Sequence, residues 1–425
     1  MAVTHDPSEY IKGLQQILIS DKKRIGFLFG AGTSLAKKNE DSLTVPSIIP
    51  LTKDIVDTLS EEADGYKELF LELKVELSES FNIETILTNL EQKYTIIGNG
   101  KLNSLDKDGF KTLITKYKNL IRDKISVHKN FPIDKEKHLI QTDFARWIGQ
   151  ANRKNPIEIF TTNYDYLFEL GLEACNVAYY DGFSGSYKPF FNADSVEDMC
   201  FLPNQTKLWK VHGSLGWKIE TDTNKVIRAN SDSDDILIYP SVLKYNDSKK
   251  QPYESLMDRL SNYLKTDDSV LIISGYSFGD EHINSRIRTA LNSNTTSHVV
   301  FLYYDKYWDE SENKSKFRFD ENDSLYKFAL ENKKISVYAM RNAMIGGKYG
   351  IWKLKNEPSK DDTILINLYY DEDLAIDAEI GTSNTGQEIW TGEGEFILTD
   401  FVKLVCFLGD VLPENEIGQW GRNAK

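Results

Sequence analysis

The chain has 425 residues, of which 40% are hydrophobic and 12% aromatic, enough for a large core in one domain with additions or in two domains. The net charge of −14 argues against general affinity for nucleic acid, so an anionic ligand would need local donors. No apolar run approaches the roughly 20 residues of a membrane span, and residues 1–10 carry no charged-then-apolar leader. We therefore expect a cytoplasmic protein without membrane contact.

The cysteines are Cys175, Cys200 and Cys406. They lie far apart in the sequence and form no C-x-x-C pair. This spacing argues against a zinc ribbon and against a disulfide framework, and it suits a reducing compartment. We expect no metal site.

The first informative segment is the apolar run 25–29, which leads into Gly30-Ala31-Gly32 and then Thr33-Ser34. The pattern predicts a buried parallel strand, a tight turn and the start of a helix. Free N–H groups and the positive end of a helix favour a phosphate at such a turn. An ordinary strand-to-helix turn is the alternative, because Leu35 occupies the position of the third glycine in the full dinucleotide fingerprint.

The second segment is the β-branched run 157–160, which passes into a polar cluster that contains Thr162, Asn163 and Asp165. In open α/β sheets, ligands bind at the carboxyl ends of the strands. Asn163 and Asp165 are therefore candidates for ligand contact. Helix capping or turn formation is the alternative, because Asn and Asp favour such positions.

The third segment is the strand-like run 208–211, which ends in His212-Gly213. The small residue after the histidine leaves the ring open to a cleft. An unperturbed pKa of about 6.5 lets a histidine accept a proton near neutral pH. A core histidine bonded to a carbonyl group is the alternative.

The fourth segment repeats the pattern of strand, glycine turn and helix. The run 270–274 leads to Gly275 and Ser277, which are a second candidate contact for phosphate or ribose. We predict that Asp280 caps the following helix and that His282 belongs to the same local network.

The remaining elements complete an α/β architecture: a Rossmann-like parallel sheet with helices on both faces. A helix is expected over residues 8–20, and a mainly helical insertion over residues 52–150 follows the first strand. His128 and His138 lie in that insertion and are expected at the surface.

Further strands are predicted at 299–305 and at 335–338, the latter as the last of the sheet. Asp305 ends the first of these strands, with contact to an adenosine ribose as the alternative.

Residues 351–425 differ in composition from the rest and form a predicted C-terminal appendage to a nucleotide-binding domain of residues 1–350. We expect a strand at 363–368 and a helix at 396–408. The segment suits assembly or partner contact, or it simply packs on the core of its own chain.

Taken together, the four segments resemble the motifs of the sirtuin family. Residues 30–34 resemble its G-A-G-x-S loop, and residues 162–165 resemble T-Q-N-x-D with Thr162 in place of the glutamine. Residues 212–213 look like the catalytic H-G, and residues 275–277 are similar to the later G-x-S. The order and spacing agree over residues 24–305. The form G-Y-S-F-x-D-x-H-I at 275–283 resembles the divergent bacterial sirtuin-like proteins of antiphage defence more than the deacylases.

The resemblance implies NAD as the substrate. Asn163 would bind the ribose or position an attacking water, and His212 would be the general base. Asp165 would orient the loop and hydrogen-bond the ligand. The implied NAD contacts are Gly30, Ala31, Gly32, Thr33, Ser34, Thr162, Asp165, Gly213, Gly275 and Ser277.

Two departures separate this chain from the deacylases. It lacks the paired cysteines of their zinc domain, and the segment after Pro46 lacks their Pro-x-Phe-Arg sequence. Water is then the expected acceptor, which implies an NAD glycohydrolase that depletes NAD in abortive infection. A protein deacylase and a non-catalytic module that binds NAD or ADP-ribose are the alternatives. The family also implies homo-oligomers and, in some systems, a HerA-type ATPase or another sensor as partner.

Overall fold

The computed structural model describes residues 3–131, 134, 137–151, 153–220, 222–229, 236–238, 251–359, 364–374, 381–382 and 388–412. The strands, numbered along the chain, are β1 Thr4–His5, β2 Arg24–Phe29, β3 Glu158–Thr161, β4 Tyr179–Tyr180, β5 Phe183–Ser184, β6 Phe190–Phe191, β7 Thr206–Lys210, β8 Gly213–Ile219, β9 Val226–Arg228, β10 Ile236–Ile238, β11 Ser269–Ser274, β12 His298–Tyr303, β13 Lys306–Asp309, β14 Lys314–Phe317, β15 Ile335–Ala339, β16 Asn342–Ile345, β17 Lys348–Trp352, β18 Gly381–Thr382 and β19 Glu388–Ile389.

The α-helices are α1 Pro7–Ile19, α2 Gly32–Leu35, α3 Ile48–Glu62, α4 Asp64–Leu77, α5 Ile83–Ile96, α6 Lys107–Ile125, α7 Ile140–Gln150, α8 Leu167–Ala174, α9 Ala193–Glu197, α10 Tyr253–Lys265, α11 Glu281–Ser293, α12 Ser324–Glu331 and α13 Phe401–Asp410. None of the helices in the described ranges has the length and apolar composition that crossing a bilayer requires.

A ten-stranded sheet in the order β1-β17-β16-β15-β12-β11-β2-β3-β7-β4 forms the centre of the fold. The strands from β15 to β4 run parallel, whereas β16 is antiparallel to both of its neighbours. From β2 the chain proceeds outward in one direction through β3 and β7, and from β11 it proceeds in the other. The boundary between β2 and β11 is therefore the topological switch point, where open α/β sheets bind ligands.

Alternation of side chains along the strands gives the sheet two apolar faces. In the paired strands β2 and β11, Phe27 and Ile272 face one buried cluster with α1, α7 and α8, while Leu28 and Ile273 face the other with α10, α11 and α12. Strands that are buried on both sides are nearly continuous apolar runs, as these are. The predicted α/β class with helices on both faces is confirmed.

The helices after β2 build a lobe with a core of its own. In α6, apolar side chains recur at Phe110, Leu113, Tyr117 and Ile121, a helical spacing that buries one stripe of the helix. Helices α3 to α6 share this core, and Leu167 and Leu215 of the sheet region join it. Helix α7, the last of the predicted insertion, instead packs against the sheet.

The described part of the C-terminal segment packs into the same core as the central sheet. Asp400 caps α13 by accepting hydrogen bonds from Val402 N and Lys403 N, and the Phe401 ring lies edge-on to Phe29 at 5.2 Å. The domain boundary at residue 350 and a role in assembly stay predictions.

Two local predictions were wrong. The strand β15 is not the last of the sheet, because β16 and β17 follow it. Residues 366–368 form a 3₁₀ turn rather than a strand, and Thr363 lies outside the described residues.

A buried ion pair joins the sheet to α10. The Arg259 guanidinium donates to both carboxylate oxygens of Glu158, at 2.9 and 2.8 Å, and to the carbonyl oxygens of Val196 and Asp198. The indole N–H of Trp209 also donates to Glu158, at 2.8 Å. Because every charge in this pair is hydrogen-bonded, removing one partner would leave an uncompensated buried charge.

We predict that Glu158→Ala lowers the free energy of unfolding by about 3–5 kcal/mol, because Arg259 stays buried without its counter-ion. The control is Asp54→Ala, which breaks the exposed Lys124–Asp54 pair and should cost less than about 1 kcal/mol. Urea unfolding measures both variants. Equal losses in the two would contradict this interpretation.

Candidate functional site

The four sequence segments meet at one edge of the sheet. Phe29 pairs with Thr161, and Thr161 pairs with Lys210, so the loops that follow β2, β3 and β7 begin level with one another. Asn163 and His212 each lie two residues beyond a paired residue of adjacent parallel strands. The edge where the strands end thus carries both candidate side chains.

The two glycine turns at the switch point are in direct contact. Gly30 N donates to Ser274 O at 3.2 Å, and Gly32 N donates to Gly275 O at 2.9 Å. A Cβ atom at Gly30 would lie 2.5 Å from Gly275 O, and Gly275 has a φ of +66°. Side chains at these positions would separate the two loops.

The helix after the first turn is shorter than the sequence suggests. α2 has four residues, and Thr33 N and Ser34 N donate to Gly30 O and Ala31 O. The turn therefore offers only a small helix dipole and few of the free N–H groups that were expected. Ala31 is exposed, and its N–H has no hydrogen bond among the described residues.

Asn163 binds the first turn through its side-chain amide. The Nδ2 group donates toward Gly30 O at 3.1 Å, Thr33 Oγ1 at 3.1 Å and Ser34 Oγ at 2.8 Å. The carbonyl oxygen of Gly30 can only accept, which fixes the nitrogen on this side. Asn163 Oδ1 consequently points away from the turn, and no residue in the described part of the chain hydrogen-bonds it.

Asp165 holds the same loop in place. Its Oδ2 accepts from Ser34 Oγ at 2.7 Å, and its Oδ1 accepts from Leu167 N at 3.0 Å. Thr162 N donates to Phe29 O at 3.0 Å. Both carboxylate oxygens of Asp165 therefore have protein donors, an arrangement that suits an orienting role.

A buried lysine supports this loop from β7. Lys210 Nζ donates to Glu169 Oε1 at 2.7 Å and to the carbonyl oxygens of Tyr164 and Asp165. Burial raises the pKa of the Glu169 carboxyl, against the attraction of the Lys210 charge. Lys210 was not predicted as a site residue. A single lysine two residues before His212 does not indicate in the sequence which residues its long side chain will contact.

His212 is held by a carboxylate from another strand end. Its Nε2 lies 2.7 Å from Asp280 Oδ2, and the Tyr164 ring centre lies 6.4 Å from its own. Asp280 caps α11 as predicted, with Oδ1 accepting from His282 N and Ile283 N. Burial opposes the ionised Asp280 carboxylate, but the hydrogen bonds from His212 and from the two backbone amides keep its pKa below the usual value.

The second glycine turn presents an exposed serine. Ser277 follows Gly275 at the surface, and its N–H and hydroxyl have no hydrogen bonds within the described ranges. Gly213, after His212, adopts a φ of +103°. The NAD contacts predicted for these residues and for residues 30–34 stay predictions.

The other candidate residues have contacts of their own. Asp305 Oδ1 and Oδ2 accept from Met340 N and Phe319 N, each at 3.1 Å, which fits the end of a strand. His128 contacts the Tyr166 ring, and His138 lies near Asn39 in the helical region. Within the described residues, no three His, Cys, Asp or Glu side chains are grouped as metal ligands would be.

Comparison with protein families finds a similarity in the central part of the chain. Residues 157–338 match the model of the SIR2-like domain. The matched segment contains Asn163, His212 and Gly275, whereas the Gly30 turn, which contacts Asn163 and Gly275, lies before it. No curated protein matches the chain.

One similar solved structure comes from work on the mechanism and regulation of Sir2 enzymes. The similarity covers 69% of this chain and 85% of that chain, at 12% identity and a TM-score of 0.30. A superposition this loose does not bear on the function of this chain.

We predict that Gly275→Ala lowers the free energy of unfolding by about 1–3 kcal/mol more than Gly346→Ala. Both glycines have positive φ, +66° and +60°, so both variants share a backbone cost of about 1–2 kcal/mol. Only at Gly275 would the new Cβ lie 2.6 Å from Thr33 N, while Gly346 has open space around it. Urea unfolding of both variants makes the comparison. Equal destabilisation would mean that the contact between the glycine turns is not tight.

Proposed function

We propose that this protein is an NAD glycohydrolase, which cleaves the bond between nicotinamide and ribose to give nicotinamide and ADP-ribose. The observation that carries the proposal is the position of Asn163 Oδ1 and the His212 ring at one sheet edge, beside the glycine turns of the switch point. The match of residues 157–338 to the SIR2-like domain supports NAD as the substrate.

Cleavage of NAD requires a site that orients the ribose more than one that activates the leaving group. The pyridinium of NAD is already a cationic leaving group, so the enzyme must position the ribose and stabilise an oxocarbenium-like state. The carbon–nitrogen bond breaks, and its electron pair leaves with nicotinamide. A water oxygen bonds to the same ribose carbon, and the water proton passes to His212.

Asn163 and His212 would divide this task. The amide nitrogen of Asn163 is committed to the Gly30 turn, so its oxygen is the atom that accepts from a ribose hydroxyl or the attacking water. His212 would act as general base toward that water or a ribose hydroxyl. A well-placed base contributes about 10²–10⁴ in rate.

The pyrophosphate would be held by local donors, since a chain with a net charge of −14 repels it at long range. The N–H groups of Ala31 and Ser277 and the Ser277 hydroxyl are without hydrogen bonds in the described residues. Ser34 Oγ is committed to Asp165. Ala31 and Ser277 are therefore the leading phosphate contacts of the predicted set.

The physiological role would be the depletion of NAD in antiphage defence, an extension that depends on the resemblance of residues 275–283. Unregulated cleavage of NAD would be toxic, so the proposal includes control by assembly. A homo-oligomer and a HerA-type ATPase or other sensor are the partners that the family suggests.

We expect Asn163→Ala and His212→Ala each to lower NAD cleavage by at least about 100-fold, because each removes a group that faces the ribose. His298→Ala and Asn322→Ala serve as controls of the same residue types outside the site, since His298 begins β12 and so lies at the opposite edge of the sheet. Purified protein, with and without infected-cell extract, is incubated with NAD, and nicotinamide and ADP-ribose are separated by chromatography.

Wild-type turnover by both folded variants would contradict the assignment. Release of nicotinamide only when an acylated peptide is present would indicate a deacylase. Binding of NAD without cleavage under all conditions would indicate a regulatory module.

A further inference from the structure

We infer that Asp280 is a positioning residue that keeps the proton of the neutral His212 ring on Nε2, so that Nδ1 is the atom that accepts a proton from water or ribose. This inference rests on the proposed function and adds to it the atom that acts. It starts from the 2.7 Å contact between His212 Nε2 and Asp280 Oδ2.

The chemistry of the contact determines the tautomer. An ionised carboxylate only accepts hydrogen bonds, so the imidazole nitrogen that faces it must carry the hydrogen. A neutral imidazole has a single N–H, and Nδ1 is then left with a free lone pair. The base in the proposed reaction is consequently Nδ1.

The carboxylate cannot turn away from the histidine, because its other oxygen is fixed. Asp280 Oδ1 accepts from His282 N at 2.8 Å and from Ile283 N at 3.2 Å, as the cap of α11. One oxygen therefore holds the helix and the other holds the imidazole. A rotation of the carboxylate only exchanges two identical oxygens.

The loop that carries Asp280 is itself anchored. The Tyr276 hydroxyl accepts from Asp280 N at 3.3 Å and donates to Asn284 Oδ1 at 3.0 Å. Asn284 Nδ2 in turn donates to Phe278 O at 2.9 Å. Phe278 has a φ of +61°, and its ring packs against Phe328 at 4.9 Å, which ties this turn to α12.

An asparagine at position 280 would reverse the polarity of the contact. Its single oxygen has to face the two N–H groups of the helix, which leaves its NH₂ group toward His212 Nε2. The ring would then accept at Nε2 and carry its proton on Nδ1, so the base would be lost. Asparagine caps helices as well as aspartate does, so stability would change little.

A serine at position 280 would keep the helix cap but remove the hydrogen bond to His212. Serine also caps helices well, but its hydroxyl is too short to reach the imidazole. The ring would keep access to both tautomers and lose only its orientation. We therefore expect Asp280→Asn to be the more damaging variant, although it is the closer in shape to aspartate.

The chain offers a matched control in Asp323, which caps α12. Its Oδ1 accepts from Leu325 N at 2.8 Å, and its Oδ2 accepts from the Tyr303 hydroxyl at 3.1 Å. A hydroxyl donates or accepts equally well, so Asp323→Asn keeps its side-chain contact. Asp323→Asn therefore makes the same substitution at a helix cap whose second carboxylate oxygen contacts a tyrosine and not a histidine.

The experiment compares NAD cleavage and thermal unfolding in full-length wild type, Asp280→Asn, Asp280→Ser and Asp323→Asn. Asp280→Asn should lower kcat by about 10²–10⁴ with little change in KM. Asp280→Ser should lower kcat on the order of tenfold. Asp323→Asn should cleave NAD at the wild-type rate, and all variants should unfold within a few degrees of wild type. Equal loss in the two Asp280 variants, or wild-type activity in Asp280→Asn, would overturn the inference.

A second readout is independent of activity. NMR of ¹³C- and ¹⁵N-labelled protein reports the His212 tautomer, with the resonance assigned by its loss in His212→Ala. Wild type should show the proton on Nε2 and Asp280→Asn should show it on Nδ1. An unchanged tautomer would overturn the inference. If wild type cleaved no NAD but the tautomer changed as expected, the proposed function would fail while the role of Asp280 stood.

Discussion

The contact between two glycine turns at the switch point is the constraint that sets the geometry of the site. Because Gly30 and Gly32 lie directly against Gly275, the loops after the central strands β2 and β11 meet without side chains between them. The Asn163 amide then bonds the first turn, and the loop of the second turn leads to Asp280 and so to His212. The backbone contact between the two turns thus helps to determine where the Asn163 amide and the His212 ring lie.

The sequence predicted the meeting of these segments because parallel strands expose their carboxyl ends at one edge. It also predicted Asp280 as a helix cap. It did not predict that the second oxygen of this carboxylate binds His212, 68 residues away in the chain. A capping signal is local, whereas the target of the free oxygen depends on how two strands are placed in three dimensions. The contacts of Lys210 were missed for the same reason.

Errors in the C-terminal part have a different origin. The apolar run before Asn367 predicts a strand, although a short apolar run has no period that separates a strand from a tight turn. The helix expected over residues 396–408 begins at Phe401, after the Asp400 cap. The Phe401 ring against Phe29 shows why a region of distinct composition still packs on the central sheet. The composition of a segment does not reveal which surface it covers.

In the proposed complex a single ribose lies between Asn163 and His212, with the pyrophosphate against the glycine turns. A crystal structure of the His212→Ala variant with intact NAD would be the sharpest test of this arrangement. We expect the nicotinamide ribose within hydrogen-bond distance of Asn163 Oδ1 and the phosphates beside Ala31 and Ser277. NAD bound elsewhere on the protein, or with its adenosine end in the place of the nicotinamide ribose, would contradict it.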